Sequence, residues 1–259
     1  MAIQSTHVSR ERYAVVSCHV ERPLDDAVWA RFSALQEARP GGFAIAALMR
    51  PADATFGEDE DTWAKRARDA ARRAPLGHHA HWTAPDHARP TALVTDRHEA
   101  PGTRVDVDGR RLRELGLAPT AFCGGGWYTD AEVADACAGL GYVDCTPRAN
   151  RPPYLAGGEY WAEAREICVV DLPSGGELSV IPTTHSLGDL ARALTRRELP
   201  RLVHVYLHDT DLLDLRRRAL LHAGLRVLAR RADPTDLDVL ATHAFSNAPR
   251  VAWADIARN

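Results

Sequence analysis

Short apolar stretches alternate with amphipathic ones along the chain, and that alternation gives the first reading of the fold. Seven segments have the length and the β-branched or aromatic content of strands: YAVVSCHV (13–20), FAIAALM (43–49), LGHHAHW (76–82), PTAFC (119–123), YVDCT (142–146), ICVVDL (167–172) and LVHVYLH (202–208). Between them, apolar residues recur at helical spacing. Val28, Phe32 and Leu35 share a face within 25–39, Val133, Cys137 and Leu140 within 129–140, and Leu187, Leu190, Ala191 and Leu194 within 186–196. Thr129 with Glu132 predicts a capping box for the second helix, and Ser186 a cap for the third. APGTRVDVDG (100–109) reads as a surface loop and RANRPPYLAGGEYW (148–161) as a longer one. The rhythm predicts a mainly parallel sheet with helices outside it, either a barrel or a doubly wound sheet, in one domain over 1–259.

The polar positions narrow this picture. Side chains alternate between the two faces of a strand. Ser17, His19 and Glu21 therefore share one face against Val16, Cys18 and Val20, and His204, Tyr206 and His208 share one against Val203, Val205 and Leu207. Gly77, His79 and His81 align in the same way, as do Tyr142, Asp144 and Thr146. A buried unpaired polar group costs roughly 1–3 kcal/mol, so such faces suit a barrel interior whose mouth does chemistry. Parallel α/β barrels place that chemistry at the carboxyl ends of their strands, where His19, Glu21, His81 and His208 fall.

Composition removes several function classes. A net charge of −3 gives no electrostatic reason to expect nucleic acid or an anionic membrane as partner. No glycine-rich phosphate loop follows any strand, and the glycines of CGGGW (123–127) open onto no lysine. The five cysteines are dispersed, with no CxxC pair, and read as reduced packing residues. The N-terminal stretch lacks a signal-peptide run, and no segment approaches ~20 apolar residues, so the expectation is a cytoplasmic protein.

Within this frame His79 and His81 are an i,i+2 pair able to hold one cation, with Glu21 completing a two-histidine, one-carboxylate set. A solvated Glu21 paired to Arg22 is the competing reading. His208 is the candidate general acid, which Asp209 and Asp211 either orient or leave in order to cap the helix beginning near Leu212. His185 is a lesser site candidate. His7, His87, His98, His222 and His243 read as ordinary surface or core residues.

The order of these pieces resembles the polysaccharide deacetylase superfamily, the NodB-homology or carbohydrate esterase family 4 fold. SCHVERPLDD looks like its first acidic strand end, GHHAHWTAP like its metal-binding histidine segment, and FCGGGWYTDAEV like its arginine–proline–glycine turn. LGYVDCT and VHVYLHDTD look like its later aspartate and leucine–histidine segments, so the resemblance runs from about residue 13 to 230. It implies a distorted (β/α) barrel of about seven parallel strands that hydrolyses an N-acetyl or related amide with one divalent metal. The family's base falls on His19, its metal-binding acid on Val20 or Glu21, its metal histidine on His79 and its late catalytic histidine on His208. Thr83 stands where a second metal histidine is usual, so His81 substitutes for it, and Cys123 stands where an arginine is usual.

The resulting expectation is N-deacetylation of a small amino sugar or specialised metabolite. Glu21, His79 and His81 hold a divalent ion, zinc in the first instance, with His19 as base and His208 as acid. A backbone N–H near Gly126 or Trp127 steadies the oxyanion, and Trp82, Trp127 and Tyr128 wall the substrate. Two alternatives stay open: a metal-free amidohydrolase using His19, Asp144 and His208, and a non-catalytic barrel that binds a ligand or a pathway partner.

Overall fold

The computed structural model describes residues 12–82, 100–152, 155 and 160–258. The first half follows a strict strand–helix order: β1 (Tyr13–Val20), α1 (Asp26–Ala38), β2 (Ile45–Met49), α2 (Glu60–Ala71), β3 (Leu76–Ala80), α3 (Pro101–Glu114), β4 (Ala121–Gly124), α4 (Ala131–Gly139) and β5 (Val143–Asp144). Three short strands follow: β6 (Trp161–Ala162), β7 (Cys168–Asp171) and β8 (Glu177–Val180). The chain continues through α5 (Leu187–Leu194), β9 (Leu202–His208), α6 (Leu215–Leu228), β10 (Asp233–Pro234), α7 (Leu237–His243), β11 (Arg250–Ala252), α8 (Trp253–Ile256) and β12 (Ala257–Arg258).

The fold is mixed α/β around a mostly parallel sheet ordered β9-β1-β2-β3-β4-β5-β8-β7-β11, with β10 also against β1. Past β8 the chain turns toward the far side of the sheet. Thr184 and His185 donate their N–H groups to the His204 carbonyl at 3.1 and 2.9 Å, and the Tyr206 N–H donates to the His185 carbonyl at 2.9 Å.

Strand alternation divides the core. Ala14, Val16, Cys18 and Val20 of β1 pack outward with Val203, Val205 and Leu207 of β9 against Phe32, Trp63, Leu190 and Leu225 of the helices. Val15, Ala46, Leu48, Ala121, Cys123, Cys145, Ile181 and Leu202 form an inner core on the opposite face. Among the described residues no helix is long and apolar enough to cross a membrane.

Three expectations need correction. The sheet is not uniformly parallel, because β7, the expected 167–172 strand, pairs antiparallel with β8. The strand beside β5 is β8, which was not anticipated; it is only four residues long and follows a tight turn at Gly175, where φ is +89°. Second, residues 101–109 of the expected loop belong to α3, which runs on to Glu114. Pro101 occupies the first turn, where a missing N–H costs nothing, and Val105 and Leu112 are buried. Its glycines serve close packing: a Cβ on Gly102 would lie 2.8 Å from the Glu132 backbone, and one on Gly109 would lie 2.5 Å from Leu140 Cδ1. Gly102→Ala is therefore expected to lower the unfolding free energy by about 1–3 kcal/mol through overpacking at the α3–α4 crossing, measured by urea denaturation. Third, α4 is capped by Asp130, whose carboxylate accepts the Val133 N–H at 2.8 Å, and not by Thr129. The Ser186 cap forms as expected, with Asp189 completing the box.

Candidate active site

Register brings the polar residues of distant segments to one end of the sheet. β1 and β9 run parallel with His19 opposite His208, and β3 pairs with β4 so that His79 faces Cys123. The absence of a side chain at Gly77 admits Leu48 beneath His79, since a Cβ there would come within 2.2 Å of Leu48 Cδ2. The His19 ring lies 4.6 Å from that of His79 and 5.2 Å from that of His208, centroid to centroid.

Glu21, one residue beyond β1, is the centre of the cluster. Its Oε1 lies 3.5 Å from His79 Nε2, 3.5 Å from His81 Nε2 and 3.6 Å from His208 Nε2. These separations exceed the usual 2.7–3.2 Å range of an N–H···O bond. The two to His79 and His81 lie close to the ~3.4 Å edge of a tetrahedron of donors around a metal with bonds of ~2.1 Å. His79 is also in the right tautomer for a ligand. Its Nδ1 sits 2.9 Å from the Cys123 carbonyl, which can only accept, so the proton is on Nδ1 and the lone pair on Nε2. That Nε2 is buried and makes no hydrogen bond. Glu21, His79 and His81 thus fit a divalent ion; His19, His79 and Cys123 form an adjoining group of similar spacing.

The electrostatics agree with that donor set. Burial alone would raise the Glu21 carboxyl, but His79 and His81 beside its oxygens and the nearby His208 outweigh it and hold the group well below the usual carboxylate range. Burial lowers His79, against the pull of Glu21. His19 is pushed well below 6.5 by burial and by its neighbours His79 and His208, so it is neutral at pH 7, and its buried Nε2 makes no hydrogen bond. Cys123 is raised by burial and stays a thiol. His208 is 35% exposed at the rim, and Asp211 Oδ2 accepts its backbone N–H at 3.0 Å.

The loop ends are tied together by Asp209, which is fully buried. Its Oδ2 accepts the Arg22 N–H and its Oδ1 the Thr210 N–H, each at 2.8 Å, joining the chain after β1 to the chain after β9. Burial, with Glu21 nearby, pushes its pKa up to about 7. The helix expected near Leu212 is a 3-10 turn, Asp209–Leu213, followed by α6 with Asp214 as its cap.

Several expected site residues lie elsewhere. Asp144 pairs in register with Phe122 and Val180, which belong to the outer core beneath α4 together with Cys137 and Tyr142. It is completely buried there, accepts the Thr146 N–H at 2.8 Å and is pushed up to about 6 by burial. Cys145 takes the inner face, and a parity difference of one residue removes Asp144 from the cluster. Trp82 and Tyr128 also belong to the outer core, with ring centroids 5.6 Å apart. Trp82 donates to the Gly125 carbonyl at 2.7 Å and Tyr128 to Asp130 at 2.5 Å. Of the expected aromatic wall only Trp127 faces the site, with its centroid 5.2 Å from His19. Gly126 and Trp127 carry φ of 61° and 64°, consecutive left-handed residues that turn this indole inward. Val20 faces the helices, and Thr83 lies outside the described residues, as do His7, His87 and His98.

Two further residues complete the wall. Tyr206 stacks 5.5 Å from His19, and the Arg148 guanidinium lies over both Trp127 and Tyr206. The alternation in β9 had placed Tyr206 on the polar face; no local pattern marks Arg148.

No family model matches the chain, and neither does any curated protein sequence. Among solved structures, it is similar to a 4-alpha-glucanotransferase from Thermococcus litoralis, at 11% identity and a TM-score of 0.55 over 93% of this chain. The chain spans 40% of that enzyme's length, and the likeness concerns the fold. A family 4 carbohydrate esterase from Streptomyces lividans, in complex with acetate, aligns over 91% of this chain and 89% of its own at 12% identity, with a TM-score of 0.40.

Proposed function

We propose that this chain is a metal-dependent hydrolase of an amide C–N bond, acting on an N-acetylated small molecule at the open end of a distorted (β/α) barrel. The observation that carries the reading is the convergence of Glu21, His79, His81, His19 and His208 from three strand ends onto one carboxylate oxygen and its surroundings. A divalent ion held by Glu21, His79 and His81, zinc in the first instance, would polarise the amide carbonyl and acidify a water.

The protein's own groups supply the rest. His19, kept neutral by burial, has a ring nitrogen free to take a proton from that water. His208, exposed at the rim, reaches the leaving nitrogen and protonates it. Trp127 and Tyr206, packed edge to face with centroids 4.8 Å apart, exclude water from one side, while the backbone at Gly126 and Trp127 would offer N–H groups for the developing oxyanion. The metal-free alternative built on His19, Asp144 and His208 loses its carboxylate, because Asp144 faces the other side of the sheet.

The test combines metal analysis of protein purified without added ions with an acetate-release assay on N-acetylated amino sugars and amino acids. About one bound divalent ion per chain, activity removed by a chelator and restored by zinc, and a fall in kcat of roughly 10²–10⁴-fold in His208→Ala are expected. A protein that retains no ion and releases no acetate would sink the reading.

A further inference from the structure

We infer that Arg148 forms an anion subsite beside the histidine cluster, so that the substrate carries a carboxylate; that this anion belongs to a substrate rests on the hydrolase reading above. Arg148 follows β5 and its backbone is clamped: its N–H donates to the Ala162 carbonyl, and its own carbonyl accepts the Ala164 N–H, each at 3.0 Å. The guanidinium carbon lies 4.3 Å from the centre of the Trp127 ring and 4.9 Å from that of Tyr206, and Nη1 donates to the Tyr206 hydroxyl at 3.1 Å. The side chain is therefore held in one orientation.

Its charge, however, has no counterion among the described residues. The acid nearest along the backbone pairing, Glu163, has its carboxylate engaged by Arg165 and Arg258, each at 3.3 Å. Nε is buried without a hydrogen-bond partner, and Nη2 donates to no protein group among the described residues. Stacking on two rings accounts for the position of this arginine but does not neutralise it, and a half-buried unpaired charge is costly. A fixed guanidinium with donors to spare is the geometry that takes a carboxylate. A single guanidinium balances a single negative charge, which favours a carboxylate over a doubly charged phosphate.

The location gives the subsite its meaning. The two rings that hold Arg148 are those that touch His19, at 5.2 and 5.5 Å. An anion on Arg148 therefore leaves the remainder of a small molecule lying along Trp127 toward His19 and His208. Glu21 contributes one negative charge against a divalent ion, so the loaded site would be positive and complementary to an acidic N-acyl compound.

The experiment compares N-acetylmuramic acid and N-acetylglucosaminuronic acid with neutral N-acetylglucosamine, using wild-type protein, Arg148→Gln and Arg148→Lys, all checked for folding by thermal melting. Wild type should favour the acidic probes by roughly 10²-fold in kcat/KM. Arg148→Gln should erase that preference through KM and Arg148→Lys should keep part of it, the readout being the ratio of acidic to neutral kcat/KM within each protein. Equal losses on acidic and neutral probes in Arg148→Gln, or no preference in wild type, would overturn the subsite while leaving the hydrolase standing. Calorimetric binding of the acidic probes separates the converse case: Arg148-dependent binding without turnover of any probe supports the subsite and overturns the hydrolase. Wild-type protein that neither binds nor hydrolyses the acidic probes overturns the subsite.

Discussion

Glu21→Gln is expected to remove both metal retention and turnover, with kcat/KM falling about 10³-fold or more, equivalent to ~4 kcal/mol of transition-state stabilisation. Glutamine has nearly the same shape, so packing is preserved and the change isolates the charge. Oε1 of Glu21 is the atom shared by His79, His81 and His208 at 3.5–3.6 Å, and its carboxylate is the acidic member of the proposed ligand set. Without it, two neutral imidazoles would have to hold a divalent ion with no compensating charge. The check pairs metal analysis with initial rates, and circular dichroism serves as the folding control. A variant that keeps its ion and half its activity would place the chemistry elsewhere.

The second large effect is loss of stability in acid. His19, His78 and His204 are buried and held neutral, His19 well below 6.5, His78 down to about 3 and His204 down to about 4, burial being the main cause in each. The unfolded chain protonates these imidazoles near 6.5 and the folded chain does not, so their stabilising contribution is complete above pH 6.5 and falls as pH drops toward 4. Asp144 and Asp209 act in the opposite direction. They are raised to about 6 and about 7 in the folded state, so they bind protons there that the unfolded chain binds only near 4. With Glu21 and His79 also held below their ordinary values, the unfolded state is left with a net surplus of protons between pH 6 and 4, so stability falls as the pH drops through that window. Urea denaturation of metal-free protein at several pH values measures this directly. His78→Phe should flatten the slope by about one proton, since His78 already packs against Phe122 and Tyr142 and its ring nitrogens make no hydrogen bond. Stability that stays level from pH 7 to 4 would contradict the argument.

The site was legible where strand periodicity sets the direction of side chains over a long run. β9 matches the expected bounds, Leu202–His208, and β1 matches Tyr13–Val20, so the alternation alone assigns His19 to one face of β1 and His204, Tyr206 and His208 to one face of β9. β5 spans only Val143–Asp144, too short for alternation to fix a face, and the misplacement of Asp144 follows from that. Trp82 and Tyr128 misled for a related reason. Each flanks a strand end, where one residue of parity or a left-handed turn decides which core receives the ring.

The amino-acid sequence by itself determined the alternation of strands and helices, the inward direction of the histidines on β1 and β9, and the supply of imidazoles and one carboxylate at strand ends, because these depend on local geometry that repeats every two or 3.6 residues. Only the tertiary structure decided the antiparallel β7–β8 pair, the burial of Gly102 and Gly109 in a helix crossing, the removal of Asp144 to the outer core and the placement of Arg148 over Trp127 and Tyr206. Each of these depends on which distant segment packs alongside, a choice governed by sheet register and by the volume left between layers, and no pattern along the chain records it.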